Sequence, residues 1–375
     1  MKILFTGGGG SGGHFYPIIA VARALRHIAQ KEHIIDIHFF FAGSAFDERI
    51  LAEENIEFIK ISAGKFPRYF SLQYFITPFS IVIGIFSAFW KLYALLPDII
   101  FSKGGYSAFP ILVAARLLKI PVIVHESDSV PGMVNRWSGK WAQEVIVSFP
   151  KTVEFFKKNP QVRVLGNPIR SQVVGGNATE AFETFSLEEQ IPIILVLGGS
   201  QGAEIINEAI LGLLSDAVST YQIIHQTGRN NFEEVKGRAS VILGKNDYKH
   251  RYHAYPFLGE GDLRNASKVA SLVVSRAGSG GIFEIAAWGI PTILIPITGA
   301  AQNHQRENAY AYARSGACEI IEETNVKPHL LLAAINKIVN DPQKIQTMKQ
   351  RAQEFAKLDA AERIGYELIA LGVHD

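Results

Sequence analysis

A run of glycines near the amino terminus constrains the fold more than any other stretch. Residues 7–13 read Gly-Gly-Gly-Gly-Ser-Gly-Gly, between a short apolar run, Ile3–Phe5, and an apolar-periodic segment that begins at Phe15. This order predicts a strand, a tight turn and a helix. Because glycine lets a ligand approach the backbone closely, the amides at the helix start can hold an anion. A turn with only a structural role is the alternative interpretation.

The turn fits neither of the common nucleotide-binding motifs. Gly7, Gly9 and Gly12 match G-x-G-x-x-G, but a dinucleotide site also needs an acidic residue at the end of the second strand. That strand, near Ile37–Phe41, is followed by Ala-Gly-Ser. The lysine of a phosphate-binding P-loop is missing as well. The turn instead ends in His14, which favours a site for an anion or for a reacting hydroxyl group.

Composition excludes several classes of protein. The chain has 375 residues, enough for two domains, with 48% hydrophobic and 19% charged residues. A formal net charge of +2 gives no support for nucleic acid as a partner. The single cysteine, Cys318, excludes internal disulfides and a cysteine-built metal site, and no spacing of His, Asp and Glu predicts another metal site. Only a few apolar residues follow Lys2 before the glycines, so no signal peptide is expected.

An apolar, aromatic-rich segment covers Tyr69–Leu96. It carries no charge within Phe79–Trp90, and Lys65, Arg68 and Lys91 flank it. The uninterrupted run is shorter than the roughly 20 residues that a transmembrane helix needs. These features predict a helix that lies in a membrane interface. A helix buried against the sheet and a true membrane span are the alternatives, and one face could lie in the core while the other meets lipid.

Strand-like and helix-like segments alternate along the chain, which predicts an α/β fold of parallel strands with helical crossovers. The polar, patternless stretch around 169–190 predicts a linker. The pattern restarts after Pro192 with a buried strand and a second glycine-rich turn, 198–203. We therefore expect two Rossmann-like, parallel-sheet domains, 1–168 and 191–356, that face a central cleft. Ligands bind beyond the carboxyl ends of such strands, so both glycine turns should line the cleft. Strands are expected near 2–6, 36–41, 99–101, 122–125, 144–147 and 163–165, and then near 193–197, 221–226, 252–258, 272–275, 292–296 and 318–321.

Two turns of the second half offer groups for a nucleotide. The second glycine turn combines the hydroxyl of Ser200 with amides at a helix start, which suits a diphosphate; a purely structural turn is the alternative. A third turn contains Gly278 and Ser279 and precedes a helix that carries Glu284. An ionised carboxylate accepts two hydrogen bonds and could hold the two hydroxyls of a ribose. Alternatively, Glu284 only complements the helix dipole.

A polar helix start follows Pro296 and contains His304, Gln305 and Asn308. Gln305 and Asn308 are three residues apart and share a helix face, so their amides could bind sugar hydroxyls. On composition alone, a solvated helix start is the alternative.

Polar residues also follow two predicted strands of the first half. Tyr106 comes after one strand, and His125, Glu126 and Asp128 come at the end of the next. The carboxyl ends of parallel strands lie at one edge of a sheet, so these side chains should face the cleft. His125 beside Glu126 could be an oriented base or simply part of a loop.

Taken in order, these motifs resemble those of the MurG family, the bacterial undecaprenyldiphospho-muramoylpentapeptide β-N-acetylglucosaminyltransferases that make lipid II from lipid I. Each motif is weak by itself, but the ordered set is specific and extends from Met1 to about Gly316. The matching segments are 9–17, 104–106, 125–126, 166–170, 198–203, 275–279, 284–286 and 303–308.

The resemblance implies an inverting, metal-independent glycosyltransferase of the GT-B type that uses no cofactor. The amino-terminal domain would bind the acceptor lipid I and the membrane surface. The carboxy-terminal domain would bind UDP-N-acetylglucosamine, and the last helix, about 357–375, would pack back on the first domain. The protein would be peripheral, on the cytoplasmic side of the plasma membrane or inner membrane.

Carried over by position, the resemblance also implies roles for single residues. His14 is the expected catalytic residue. The expected acceptor contacts are Tyr106, His125, Glu126 and Asp128. The expected donor contacts are Ser11, Gly12, Gly13, Arg170, Ser200, Leu258, Gly278, Ser279, Glu284, His304, Gln305 and Asn308. Among them, Arg170 and Ser200 would hold the diphosphate, Leu258 would lie against uracil, Glu284 would bind the ribose, and 304–308 would bind the N-acetylglucosamine. Residues 11–14 would line the acceptor side and the diphosphate.

Two positions depart from the family pattern. Ser11 stands where the family usually has threonine, and it keeps the hydroxyl group. Asp128 stands where the family usually has asparagine, so a carboxylate replaces an amide at that contact.

The residues themselves agree with an inverting transfer. An imidazole titrates near neutral pH, so His14 could accept the proton of the acceptor hydroxyl. Arg170, Ser200 and the helix starts could stabilise the departing UDP without a metal ion. The alternatives are another GT-B enzyme acting on a membrane lipid such as diacylglycerol, a nucleotide-sugar epimerase of similar architecture, and a non-catalytic subunit that binds a nucleotide sugar.

Overall fold

The computed structural model describes residues 1–8, 12–34, 36–44, 47–64, 73–199, 202–299 and 303–373. The chain forms two compact units. Unit 1 comprises Met1–Ile169 and Lys357–Asp375, and unit 2 comprises Arg170–Ala356. Each unit contains a parallel sheet with helices, so the α/β fold class predicted from the sequence is confirmed.

The strands and helices alternate along most of the chain. The strands are β1 (Lys2–Thr6), β2 (His38–Gly43), β3 (Glu57–Lys60), β4 (Ile99–Ser102), β5 (Val122–Glu126), β6 (Glu144–Val147), β7 (Val162–Val164), β8 (Ile193–Leu197), β9 (Gln222–Gln226), β10 (Tyr252–Tyr255), β11 (Leu272–Ser275), β12 (Thr292–Leu294) and β13 (Cys318–Ile320). The helices are α1 (Gly12–Lys31), α2 (Glu48–Glu53), α3 (Gln73–Leu95), α4 (Phe109–Leu118), α5 (Met133–Ser138), α6 (Ala178–Thr184), α7 (Glu204–Ala217), α8 (Phe232–Ile242), α9 (Glu260–Val269), α10 (Ser279–Trp288), α11 (His304–Ala313), α12 (Pro328–Val339), α13 (Pro342–Phe355) and α14 (Ala360–Gly372).

The sheet of unit 1 has seven strands within the described ranges, in the order β3-β2-β1-β4-β5-β6-β7, and every pair is parallel. Strands β4, β5 and β6 are buried along their whole length. Helices α1 and α14 cover one face, and α3 and α4 pack on the other. Burial on both faces explains why these strands are continuous apolar runs rather than alternating patterns.

Unit 2 repeats this architecture with its own residues. Its described sheet has six parallel strands in the order β10-β9-β8-β11-β12-β13. Helices α7 and α12 pack together on one face, where Ile206 and Leu331 are fully buried. On the other face, α6 and α9 pack over β8 and β11 around Leu263.

The predicted linker 169–190 is folded, which differs from the prediction. A 3-10 turn, Ser171–Val173, is followed by α6, whose amide groups are capped by Asn177. Val173, Ala181 and Phe185 are buried in the core of unit 2. Helix α6 has seven residues, of which Ala181 is the one that is fully buried, so it is too short to give a clear periodic apolar pattern.

One face of helix α3 is apolar and exposed on the surface of unit 1. Phe79, Val82, Ile83 and Phe86 are each about two-thirds exposed, with Phe79 at 72%. Ala88 and Leu92 face α4 and are fully buried. Only 17% of the segment 77–95 is buried, so α3 is not a wholly buried helix; one face packs in the core of unit 1 and the other is exposed. Among the described residues, this is the one helix long and apolar enough to cross a membrane.

Leu368→Ala tests how firmly α14 belongs to unit 1. Leu368 is fully buried in the cluster formed by α1 and the sheet, so the truncation should leave a cavity and lower the free energy of unfolding by about 2–5 kcal/mol. Urea unfolding measures this change. Leu358→Ala is the matched control, because Leu358 is 62% exposed and its loss should cost less than about 0.5 kcal/mol. Equal effects of the two substitutions would contradict the packing of α14.

Candidate active site

Two glycine turns meet above the carboxyl ends of β1 and β4. Gly8 has φ of +94°, its amide donates to Gly104 O at 3.2 Å, and its carbonyl accepts from Ser107 Oγ at 2.9 Å. Gly105 has φ of +83°, and a Cβ there would lie 2.4 Å from Gly8 O. Only glycine fits at this position because both the backbone conformation and the neighbouring carbonyl exclude a side chain. Ser11 lies outside the described residues, and Gly12 and Gly13 form the first positions of α1.

His14 lies in the first turn of α1 and is half-buried. Its Nδ1 is 3.1 Å from Lys103 O, the main-chain carbonyl that follows β4. A carbonyl oxygen only accepts, so Nδ1 carries the proton of the neutral ring. The proton-accepting nitrogen of neutral His14 is therefore Nε2. A neutral imidazole in this tautomer accepts a proton through Nε2.

The side chain of Lys103 runs in the opposite direction, into the core of unit 1. It is 1% exposed, and its Nζ donates to His125 Nδ1 at 2.6 Å, to Ser127 Oγ, and to Asn167 Oδ1 at 3.2 Å. The three N–H groups of the ammonium thus meet three neutral acceptors at the ends of β5 and β7. Burial lowers the pKa of Lys103.

His125 is fully buried in the same cluster. Its Nε2 donates to Gly166 O at 3.0 Å, which leaves Nδ1 to accept from Lys103. Burial, followed by the nearby Lys103 charge, holds the pKa of His125 well below its usual range. Both ring nitrogens are engaged, so the imidazole is a neutral structural link rather than an exposed base.

Glu126 holds the loop that follows β5. Its carboxylate accepts from the amides of Asp128 at 2.9 Å and Gly132 at 3.1 Å, and from Asn135 Nδ2 at 2.9 Å. Burial and then the neighbouring Asp128 raise the pKa of Glu126. Asp128 and Tyr106 are both half-buried, and Tyr106 begins a 3-10 turn directly after the glycines. Glu126 therefore fixes the position of Asp128.

In unit 2, the described glycines of the second and third turns lie just before helix starts. Gly199 and Gly202 have φ of +80° and +81° before α7, and a Cβ at Gly202 would lie 2.4 Å from a carbonyl oxygen. Gly278 caps the start of α10, and Ser279 is its first residue. Each turn thus ends at a helix start whose amides can bind an anion. Ser200 lies outside the described residues.

Arg170 and Glu284 form a two-point ion pair. The guanidinium donates from Nε at 2.7 Å and from Nη2 at 3.0 Å to the two carboxylate oxygens. A second carboxylate, that of Glu260, lies 3.8 Å from Arg170 Nη1. Two residues predicted to contact different parts of the donor are thus brought together.

Leu258 is fully buried among core residues of unit 2, and its amide donates to Gln226 Oε1 at 3.0 Å. Because its side chain is buried in the core, Leu258 can contact a nucleotide base only through its main chain. Gln226, at the end of β9, was not predicted from the sequence. Its side chain fixes the main chain of the loop after β10.

The start of α11 is tied to two neighbouring loops. Gln305 Oε1 accepts from Ile297 N at 3.2 Å, and Asn308, fully buried, approaches Ala277 O with its Nδ2 at 3.5 Å. His304 is the first residue of the helix. The alternative of a merely solvated helix start is therefore wrong for Gln305 and Asn308. Within the described ranges, no group of three His, Cys, Asp or Glu side chains is arranged as metal ligands.

Comparison with family models first defines the class of the protein. Residues 3–147 match the glycosyltransferase family 28 N-terminal domain, and residues 193–364 match the glycosyltransferase family 28 C-terminal domain. The glycine turns and the ends of β1, β4 and β5 lie within these two matches, whereas the end of β7 and Arg170 lie between them. The chain is thus a glycosyltransferase with both halves of that architecture.

Curated relatives define the family. A protein of Halothermothrix orenii is 34% identical over 362 residues, which cover 95% of each chain. One from Legionella pneumophila is 35% identical over 345 residues, covering 92% of this chain and 90% of the relative. Both are named UDP-N-acetylglucosamine–N-acetylmuramyl-(pentapeptide) pyrophosphoryl-undecaprenol N-acetylglucosamine transferase. The chain belongs to this family, as its motifs had indicated.

Solved structures agree on the fold. MurG of Acinetobacter baumannii has a TM-score of 0.76 at 24% identity and covers 98% of this chain and 99% of its own. A UDP-GlcNAc 2-epimerase of Neisseria meningitidis, bound to UDP-GlcNAc, has a TM-score of 0.70 at 16% identity, with 99% and 100% covered. The fold alone therefore does not separate transferases from epimerases, whereas the sequence relatives do.

Lys103→Met should change how stability depends on pH. The pKa of Lys103 in the folded protein lies below the value of about 10.4 for an exposed lysine, so the unfolded chain binds more protons between the two values. Folding is therefore favoured as pH rises through this window. The free energy of unfolding of the parent, relative to Lys103→Met, should increase from about pH 7 to about pH 10 in urea titrations.

Lys140→Met is the control, because it removes an exposed lysine from the same unit. A difference between the parent and Lys103→Met that stays constant across this pH range would show that the ammonium is not perturbed by its burial.

Proposed function

We propose that the chain transfers N-acetylglucosamine from UDP-N-acetylglucosamine to the muramoyl 4-hydroxyl of undecaprenyl-diphospho-muramoyl-pentapeptide, lipid I, and so forms lipid II. The observation that carries this proposal is the match to transferases of that name at 34–35% identity over at least 90% of both chains. The paired glycine turns and the oriented His14 support it.

His14 is the general base of the proposed mechanism. Its Nε2 takes the proton of the acceptor hydroxyl while the hydroxyl oxygen forms a bond to the anomeric carbon. The bond between that carbon and the diphosphate oxygen breaks, and its electron pair leaves with UDP, so the configuration is inverted. Lys103 O accepts from Nδ1 throughout and stabilises the imidazolium that forms.

The donor binds through the turns of unit 2. Glu284 binds the ribose hydroxyls, and Arg170 with Ser200 and the start of α7 takes the diphosphate, where negative charge grows as UDP departs. Leu258 presents its main chain to uracil. The remaining donor contacts are Gly278, Ser279, His304, Gln305 and Asn308, together with Gly12 and Gly13 at the start of α1 and with Ser11, which lies outside the described residues.

The acceptor binds at the strand ends of unit 1. Tyr106 and Asp128 are the half-buried residues there that can meet it directly. His125 and Glu126 act as positioning residues, because their side chains are buried and hold Lys103 and the loop after β5.

Helix α3 brings unit 1 to its lipid substrate as a peripheral protein on the cytoplasmic side of the membrane. Its exposed residues recur at spacings of three and four, which places them on one face. Ala88 and Leu92 occupy the opposite face and pack in unit 1. Because one face of α3 packs against the protein, we propose that the helix lies in the membrane interface and does not cross the bilayer. Lys91 contributes a basic flank; Lys65 and Arg68 lie outside the described residues.

Turnover of UDP-N-acetylglucosamine with a lipid I analogue tests the reaction, and His14 variants test the mechanism. His14→Ala should lower kcat by on the order of 10²–10⁴-fold, the usual contribution of a general base. Donor affinity should change little, because the proposed donor contacts lie mainly in unit 2. His14→Gln should not restore the rate, since an amide cannot accept the proton. A Gln variant within a few-fold of the parent, with an unchanged pH–rate profile, would end the assignment of the base.

Membrane binding should depend on the exposed face of α3. Replacing Phe79, Ile83 and Phe86 by serine should abolish sedimentation with anionic liposomes, because the apolar area that enters the interface is lost. Added salt should reduce binding of the parent in part, through screening of the basic flank. Val241→Ser is the control, since Val241 is 83% exposed but lies on α8 of unit 2. Intact liposome binding by the folded triple variant would place the membrane contact elsewhere.

A further inference from the structure

The ion pair between Arg170 and Glu284 uses the same atoms that a nucleotide would need. The guanidinium contacts both carboxylate oxygens of Glu284, at 2.7 and 3.0 Å. The two side chains are only 10% and 14% exposed. The pair thus occupies one fork of Arg170 and one acceptor site on each oxygen of Glu284, and little of either group stays exposed to a second two-point partner.

The chemistry of the two groups makes them exchangeable. A guanidinium is a donor fork that fits a carboxylate or a phosphate equally well. A carboxylate that accepts from this fork can instead accept from two adjacent hydroxyls of a ribose. A ligand with both a ribose and a diphosphate offers a new partner to each group at once. A nucleoside offers a partner to Glu284 only and would leave Arg170 without its carboxylate.

We propose that Arg170 is a specificity-determining residue that closes the ribose carboxylate to ligands lacking a diphosphate. This inference rests on the proposed donor roles of Arg170 and Glu284. Glu260, 3.8 Å from Arg170 Nη1, adds a second negative charge that holds the guanidinium in place. Binding of the diphosphate to Arg170 then separates Arg170 from Glu284. The site therefore discriminates between a nucleoside and a nucleoside diphosphate by more than the phosphate contacts alone.

A substitution of Arg170 should therefore have opposite effects on two ligands. The substitution removes a contact to the diphosphate, which weakens the binding of UDP. It also releases Glu284, which strengthens the binding of uridine. The apparent affinity for a ligand is reduced by the fraction of protein whose site is closed to it, and removal of the closing group restores that affinity.

Ligand-observed NMR titrations of the full chain with uridine and with UDP test the proposal. Arg170→Met should weaken UDP by about tenfold or more, the effect of losing a charged hydrogen-bond partner. The same substitution should raise the affinity for uridine by about threefold to tenfold. Arg170→Lys keeps the charge but not the two-point contact, so it should tighten uridine as well while weakening UDP less than Arg170→Met does.

Arg238→Met is the matched control. Arg238 makes a two-point ion pair with Glu208 in the same unit, with one contact at 2.7 Å, but on the exposed surface of α7 and α8. Its removal should change neither affinity. Thermal unfolding of each variant checks that the fold is intact.

Uridine affinity that is unchanged or weaker in both Arg170 variants would overturn the proposal, and so would a failure of uridine to bind to any variant. Glu284→Ala separates this result from the proposed function. That variant should weaken uridine and UDP alike, and an unchanged UDP affinity would remove Glu284 from the donor site, whatever Arg170 does.

Discussion

The buried ammonium of Lys103 is the interaction on which the active end of unit 1 depends. A charge taken out of water is costly unless its hydrogen bonds are all made, and here three acceptors from two strand ends satisfy it. The main chain of the same residue bonds to Thr6 O at 2.8 Å and to His14. One residue thus joins the ends of β1, β4, β5 and β7, and the imidazole of His14 is hydrogen-bonded to the same residue.

The two units use buried charge differently. In unit 1 the amino group of Lys103 meets three neutral acceptors supplied by the protein. In unit 2 the buried charges are those of an ion pair between Arg170 and Glu284. Unit 1 thus places a single amino group among neutral partners, whereas unit 2 pairs two opposite charges.

Much of the fold followed from local pattern, and the exceptions have physical causes. Buried parallel strands such as β5 and β8 are apolar runs that can be recognised without tertiary information. Strand β3, Glu57–Lys60, was missed because it has four residues, lies at the sheet edge and starts and ends with exposed charged residues. The segment 169–190 was read as a linker because the anchors of α6 are few.

The positions of the candidate residues on turns and at strand ends were predictable from the sequence, but their contacts were not. Turn sequences located His14, Glu126 and Glu284, since glycines and strand ends mark such edges. Nothing local shows that Lys103 turns inward, because a lysine beside two glycines is typical of an exposed loop. The pairing of Arg170 with Glu284 joins residues 114 positions apart and depends on the folded sheet.

The return of α14 to unit 1 has a consequence for the order in which the protein is made. Ile18, Leu25 and Ile364 belong to one apolar cluster, yet Ile364 is synthesised after every residue of unit 2. On the ribosome, unit 2 can therefore complete its core while unit 1, although begun first, still exposes the groove on α1 that α14 will fill. The amino-terminal half is the last to mature, and during that interval it is the half that depends on protection from aggregation.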